Sequence, residues 1–219
     1  MSHITITAFK WVPPFAQGLV RDLRVRWALE EAGLSYDQKL LGPGEQDSAE
    51  HRAVQPFGQV PVYEEGDLTL FESGSIVMHV AQKSLALLPA DEAGRARVLQ
   101  WMFAALNSVE PHVLNVTALD HFFANEEWAK GRRASAEQMM GKRLLGLSRA
   151  LDTREYLVDR FTAADLVMTT VLRFLRHTQV LAGYPNLAAF QARCEARPAF
   201  QRALTAQMSN FERYAPKAA

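Results

Sequence analysis

The sequence changes period near residue 92 and does not change back. From there, Val98, Leu99, Met102, Leu106 and Val109 make one apolar face that runs up to Pro111, and helical patterns follow at roughly 112–124, 132–151, 163–181, 186–195 and 198–212. A chain that spends its last 120-odd residues on helical spacing builds that part as a helical bundle. The part before it obeys other rules. Ile4, Ile6 and Ala8 alternate with Thr5 and Thr7 as a short strand. Lys10–Gly18 holds two prolines and a glycine and reads as a loop. Arg21–Ala32 carries Leu23, Val25, Trp27, Ala28 and Leu29 among charges, and Gly33 supplies the stop of a helix.

The rest of that first part continues the alternation. A second strand is expected at Tyr36–Leu41, and a turn with a short helix over Gly42–Val54. Val60–Tyr63 and Leu68–Phe71 flank Glu64-Glu65-Gly66-Asp67 as a hairpin. Ser73–Leu87 closes the unit as a helix, so the order is β-α-β-α-β-β-α. The predicted fold class is a mixed α/β domain over 1–84 and an all-helical domain over 92–219. Leu85–Glu92, LALLPADE, is the boundary, with 85–91 as linker.

Composition excludes several classes of function. The 219 residues carry 24 Lys plus Arg against 24 Asp plus Glu, so the basic surface of a nucleic-acid-binding domain is missing. A single cysteine forms no intramolecular disulfide, and MSHITITAF has no basic region leading into an apolar run. A cytoplasmic protein is expected. No apolar run approaches the ~18 residues that a membrane span needs. His112 and His121 lie nine apart, and Cys194 has no close cysteine or histidine, so no metal is expected. Gly42-Pro43-Gly44 lacks the Lys and Ser/Thr of a phosphate loop. No Gly-x-Ser-x-Gly marks a hydrolase nucleophile.

Gln55–Ser75, QPFGQVPVYEEGDLTLFESGS, places Gln-Pro, Gly, Val-Pro, Asp-Leu, Leu-Phe and Glu-Ser in one register. Taken one at a time, Glu72 and Ser73 only begin a helix, Gln46 is a loop residue and Pro61 an edge-strand proline. Together they resemble the N-terminal half of the glutathione transferase family. Phe161-Thr162-Ala163-Ala164-Asp165-Leu166 reads as a capping box with a hydrophobic staple. It also resembles that family's motif at the start of its buried helix, and Glu195–Phe200 resembles the family's last helical junction. The resemblance runs from about residue 4 to about 205.

The resemblance implies a thioredoxin-like first domain and glutathione as co-substrate. In the family the Val60-Pro61 bond is cis, and the valine backbone pairs with the cysteinyl part of the peptide as an added strand. Glu72 and Ser73 hold the γ-glutamyl end, and Gln46 stands where relatives reach the glycyl carboxylate. The implied glutathione-binding set is Gln46, Gln59, Val60, Pro61, Glu72 and Ser73. The second substrate is a small apolar electrophile in a pocket between the domains, for which Phe9, Trp11, Trp101, Asn107 and His112 are candidates. Family members are two-fold dimers, so a homodimer is expected, with Arg95–Val109 as the contact region.

The chain departs from the family at the reacting group. No Ser, Cys or Tyr lies between Thr7 and Glu30, and Leu19, Val20 and Arg21 stand at the mouth of the first helix. Two readings follow. In one, the helix N-terminus and Arg21 together lower the thiol pKa and the protein is a transferase. In the other, it binds glutathione or another ligand with little or no transfer.

Overall fold

The computed structural model describes residues 3–216. The chain divides into two compact units, Met1–Leu87 with Arg197–Ala219, and Leu88–Ala196.

The first unit follows the expected order. It runs β1 (Ile4–Phe9), α1 (Asp22–Ala32), β2 (Asp37–Leu41), α2 (Ala49–Val54), β3 (Tyr63–Glu65), β4 (Leu68–Leu70) and α3 (Ser73–Ala81). The sheet order is β2-β1-β3-β4, with β1 and β2 parallel and the other pairs antiparallel. The loop Lys10–Gly18 contains a 3-10 turn at Pro14–Ala16. The hairpin is tighter than the sequence suggests. Glu64 and Glu65 belong to β3, and only Gly66 and Asp67 lie outside the strands, with Gly66 at φ 59°. The helix expected as far as Leu87 ends at Ala81.

Ile4, Ile6 and Ala8 are buried as alternation requires, but Thr7 is buried too. Its hydroxyl accepts from the Val62 N–H at 2.6 Å, and its N–H donates to the Val62 carbonyl at 2.9 Å. Burial therefore leaves this threonine satisfied. In α1 every residue from Asp22 to Leu29 is buried, including Asp22, Arg24 and Arg26. The helix stops at Gly33, whose φ of 67° suits glycine.

A ninth helix explains why α1 has no solvated face. The second unit contains α4 (Glu92–Phe103), α5 (Glu110–His121), α6 (Glu127–Leu151), α7 (Ala163–Leu172) and α8 (Pro185–Glu195). The chain then returns to the first unit as α9 (Pro198–Arg213). The sequence places 198–212 in the helical domain; its packing partner is instead α1. Trp27 meets Phe200 edge-on at 4.8 Å, both rings being fully buried. Arg197 forks onto the Glu31 carboxylate at 2.6 and 2.8 Å. Gln207, from the middle of α9, donates to the Val20 carbonyl at 3.1 Å and to Asp22 Oδ1 at 2.7 Å.

In the second unit, Pro111 does not end the helix that precedes it. A π-helical segment at Ala104–Val109 joins α4 to α5, and Glu110 donates its N–H five residues back to Ala105. Pro111 sits in the first turn of α5, where a missing N–H costs little. Leu99, expected on the apolar face, is exposed, whereas Val98, Met102 and Val109 are buried. The pattern at 163–181 is α-helical only to Leu172 and continues as 3-10 turns. All ten residues of α7 are buried. Its capping box is present: the Thr162 N–H donates to Asp165 Oδ2 at 2.8 Å.

Candidate active site

The register of the sheet brings four connections of the first unit to one end. Tyr63 pairs with Leu70 and Ile6 with Tyr63 in antiparallel fashion, so residues 59–62, 71–75 and the segment after β1 leave the sheet together. Because β2 is parallel to β1, with Phe9 opposite Leu41, the loop after β2 joins them. Trp11, Arg21, Gln46, Gln59, Val60, Pro61 and Glu72 fall on these connections, with Phe9 ending β1 and Ser73 beginning α3 beside them. Sequence distances of more than 60 residues collapse there into a single rim.

The Val60–Pro61 bond is cis, and both residues are buried. Among the described residues, no hydrogen bond engages the Val60 N–H or carbonyl, so an extended peptide can bond to both. The neighbouring backbone is held from two sides. Val62 is tied to Thr7, and the Gln59 carbonyl accepts from His51 Nε2 at 2.7 Å. Ser48 caps α2 through the His51 N–H, which fixes that imidazole's helix. Gln59 itself is exposed.

Glu72 occupies the N-cap of α3 with φ 68° and ψ 109°, and its side chain makes no capping bond. A positive φ on glutamate is an uncommon, strained conformation. It leaves the carboxylate exposed rather than folded onto its own helix. Among the described residues, the N–H groups of Ser73, Gly74 and Ser75 find no acceptor. An uncapped helix start of this kind favours an anion. The Ser73 hydroxyl, buried beside it, accepts from Arg24 Nη1 at 3.2 Å.

Arg21 stands at the N-cap of α1, half-buried, after Gly18 at φ 73°. The Val20 N–H has no acceptor among the described residues. Behind this mouth, Arg26 Nε donates to Asp22 Oδ2 at 2.6 Å with both side chains buried, and burial pushes the Asp22 carboxyl up. No hydroxyl or thiol side chain stands at the mouth, in keeping with the sequence. Gln46, in a 3-10 turn at Glu45–Asp47, already donates to Asp47 Oδ2 at 3.0 Å. Phe9 and Trp11 are half-buried on the rim. In the second unit, Trp101 on α4 and His112 on α5 are half-buried, and Asn107 is exposed in the π segment.

Three residues behind the rim carry no signal in the sequence: Thr7 alternates as an outward strand residue, His51 belongs to a short helix, and Arg24 is one of several charges on the first helix. Among the described residues no cluster of three His, Cys, Asp or Glu side chains is placed to hold a metal.

Known proteins share both halves of this arrangement. The glutathione S-transferase N-terminal domain matches residues 15–82, and the glutathione S-transferase C-terminal domain matches residues 116–207. Glutathione S-transferase 4 of Zea mays is 31% identical over 213 residues, spanning 91% of this chain and 92% of that protein. Glutathione S-transferase F10 of Arabidopsis thaliana is 32% identical over 167 residues, spanning 71% and 74%. Among solved structures, a glutathione transferase of Pseudomonas putida with one glutathione disulfide bound per subunit superimposes with a TM-score of 0.81. It is 25% identical and covers 93% of this chain and 91% of its own. A family member from Pseudomonas fluorescens with two glutathione bound gives a TM-score of 0.81 at 25% identity, covering 93% and 92%.

Proposed function

Because the chain belongs to the glutathione S-transferase family, we propose that the rim at the end of its sheet holds glutathione and presents its thiolate to a small apolar electrophile. The protein is a glutathione transferase with glutathione as co-substrate. Relatives that cover most of the chain carry that activity in their names, which does not favour the alternative of a binding protein without transfer.

One observation carries the placement of the peptide. The uncapped start of α3, with Glu72 turned outward and Ser73 buried beside three open N–H groups, offers an acceptor for an ammonium next to donors for a carboxylate. That is the pattern of an α-amino acid end, and the γ-glutamyl group of glutathione supplies it. The free N–H and carbonyl of Val60 take the cysteinyl backbone, with Pro61 and Gln59 flanking them, and Gln46 lies toward the glycyl end. The thiol then points to the mouth of α1. There the helix dipole, the open Val20 N–H and the Arg21 cation favour the thiolate over the thiol. The thiol proton leaves to solvent, and the sulfur lone pair forms the new carbon–sulfur bond as the electrophile's leaving group or π-electrons move away.

The electrophile contacts are proposed at Phe9 and Trp11 in the first unit and Trp101, Asn107 and His112 in the second. A homodimer, a cytoplasmic location and a role in detoxification complete the reading. Phe57 and Phe71, edge-to-face at 6.1 Å yet exposed, and Phe103 on α4, 55% exposed, support an interface. No helix among the described residues is long and apolar enough to cross a membrane.

The test is Glu72→Ala. Losing a charge-assisted bond to the ligand's ammonium weakens glutathione binding by about 1.5–3 kcal/mol. Calorimetry that returns the wild-type dissociation constant would remove this placement.

A further inference from the structure

We propose that Arg24 is a positioning residue of this site: it fixes the Ser73 hydroxyl so that its hydrogen points at the γ-glutamyl carboxylate. The inference rests on the placement of the γ-glutamyl end at Ser73. It adds a buried cation that contacts no part of glutathione itself.

A guanidinium has five donors, no acceptor, and no neutral form in proteins. In the contact from Arg24 Nη1 at 3.2 Å, Ser73 Oγ is therefore the acceptor. The serine's own hydrogen is turned away from the cation. Among the described residues it finds no acceptor, although Ser73 is only 5% exposed. A buried hydroxyl whose hydrogen is left over, at a helix start with three open N–H groups, lacks one thing: an anionic oxygen.

Arg24 is the third residue of α1 and 1% exposed. A cation in the first turn of a helix opposes the helix dipole, so its own helix gains nothing from it. The Ser73 end of α3 is likewise the positive end of a helix. The start of α3 and the Arg24 guanidinium thus meet at one hydroxyl, whose hydrogen is directed to the side where a carboxylate oxygen can accept it. Inside protein, where the effective dielectric constant is far below that of water, the guanidinium's field reaches through one hydroxyl to the next oxygen. The serine relays the arginine's charge by hydrogen bonding while keeping it from the ligand.

The experiment compares two thiols by calorimetry: glutathione, and 4-aminobutanoyl-cysteinyl-glycine, which is glutathione without its γ-glutamyl carboxylate. The wild type is expected to bind glutathione tighter by about tenfold or more, the scale of a bond to a charged group. Arg24→Met, which keeps the apolar stem, is expected to collapse that ratio to about threefold or less, mainly by losing affinity for glutathione. Arg24→Lys retains charge without the fork and is expected to fall between. Should Arg24→Met fail to fold, the Arg24→Lys ratio decides. A variant set that loses equal affinity for both thiols, or none, means that Arg24 only supports the fold, and the proposal is overturned. Ser73→Ala separates the role of the serine from that of the arginine. If it flattens the ratio while both Arg24 variants keep the wild-type ratio, the γ-glutamyl placement stands and the role of Arg24 falls. A wild type that does not distinguish the two thiols removes both.

Discussion

Asp165 concentrates the residue-scale lesson of the second unit. Its carboxylate accepts from the Leu157 N–H at 2.8 Å, the Thr162 N–H at 2.8 Å and the Thr162 hydroxyl at 2.9 Å, and it is fully buried. Burial pushes its pKa from 3.8 up to about 6, against the pull of those three donors. A carboxyl with a raised folded-state pKa binds its proton more tightly folded than unfolded. Its contribution is therefore complete below about pH 4 and is lost as pH rises through about 6. Comparing wild type with Asp165→Asn by denaturant unfolding, the advantage of the wild type is expected to be larger at pH 4.5 than at pH 7. An advantage that grows with pH instead would mean that the three donors outweigh burial. Thr162 and Asp165 were legible in the sequence because a capping box is local, running only from the N-cap to the third helical residue, and built from few residue types. Glu72 and Ser73 taken singly mark only a helix start, and it is their register with Gln55–Phe71 that singles them out. Arg24 was not legible: its partner lies 49 residues away, and no pattern in α1 says which face α3 covers.

At the scale of elements, what the sequence concealed was packing between segments far apart in the chain. The order β-α-β-α-β-β-α follows from periodicity and from Gly33, Gly66 and the prolines, all local signals. That Asp22, Arg24 and Arg26 are interior does not, because it depends on α9 to cover α1, and α9 follows Arg197, 166 residues after its partner Glu31. Likewise, Pro111 reads as a stop until the π segment before it shifts the hydrogen-bond register by one. The dependence of α1 on α9 is measurable. Phe200 is 1% exposed and meets Trp27 edge-on, so Phe200→Ala is expected to destabilise the protein by about 3–5 kcal/mol, the usual cost of emptying an aromatic site. Urea unfolding monitored by tryptophan fluorescence reads it directly, and a loss under about 1 kcal/mol would mean that α9 is only loosely applied. Because Gln207 also reaches Val20 and Asp22, α9 steadies the first turn of α1, where the thiol is proposed to lie.

At the scale of the whole molecule, the net charge of zero and the exposed aromatic side chains set the expectations for assembly. On the first unit Phe57 is 63% exposed and meets the exposed Phe71 edge-to-face, a paired apolar surface rather than an isolated residue. Light scattering is expected to give about twice the 24.5 kDa chain mass, and Phe57→Ser to shift the sample toward the monomer. A single 24.5 kDa species in the wild type would reject the dimer. The central claim is that this chain activates the glutathione thiol although its helix mouth has no hydroxyl or thiol side chain. The most direct measurement is a pH titration of thiolate ultraviolet absorbance for glutathione bound to the protein, with Arg21→Ala alongside. The account predicts thiolate on the wild type well below the free-thiol value of about 8.5, and a midpoint about one unit higher in Arg21→Ala. Bound glutathione that shows no thiolate below about pH 8.5 would contradict it.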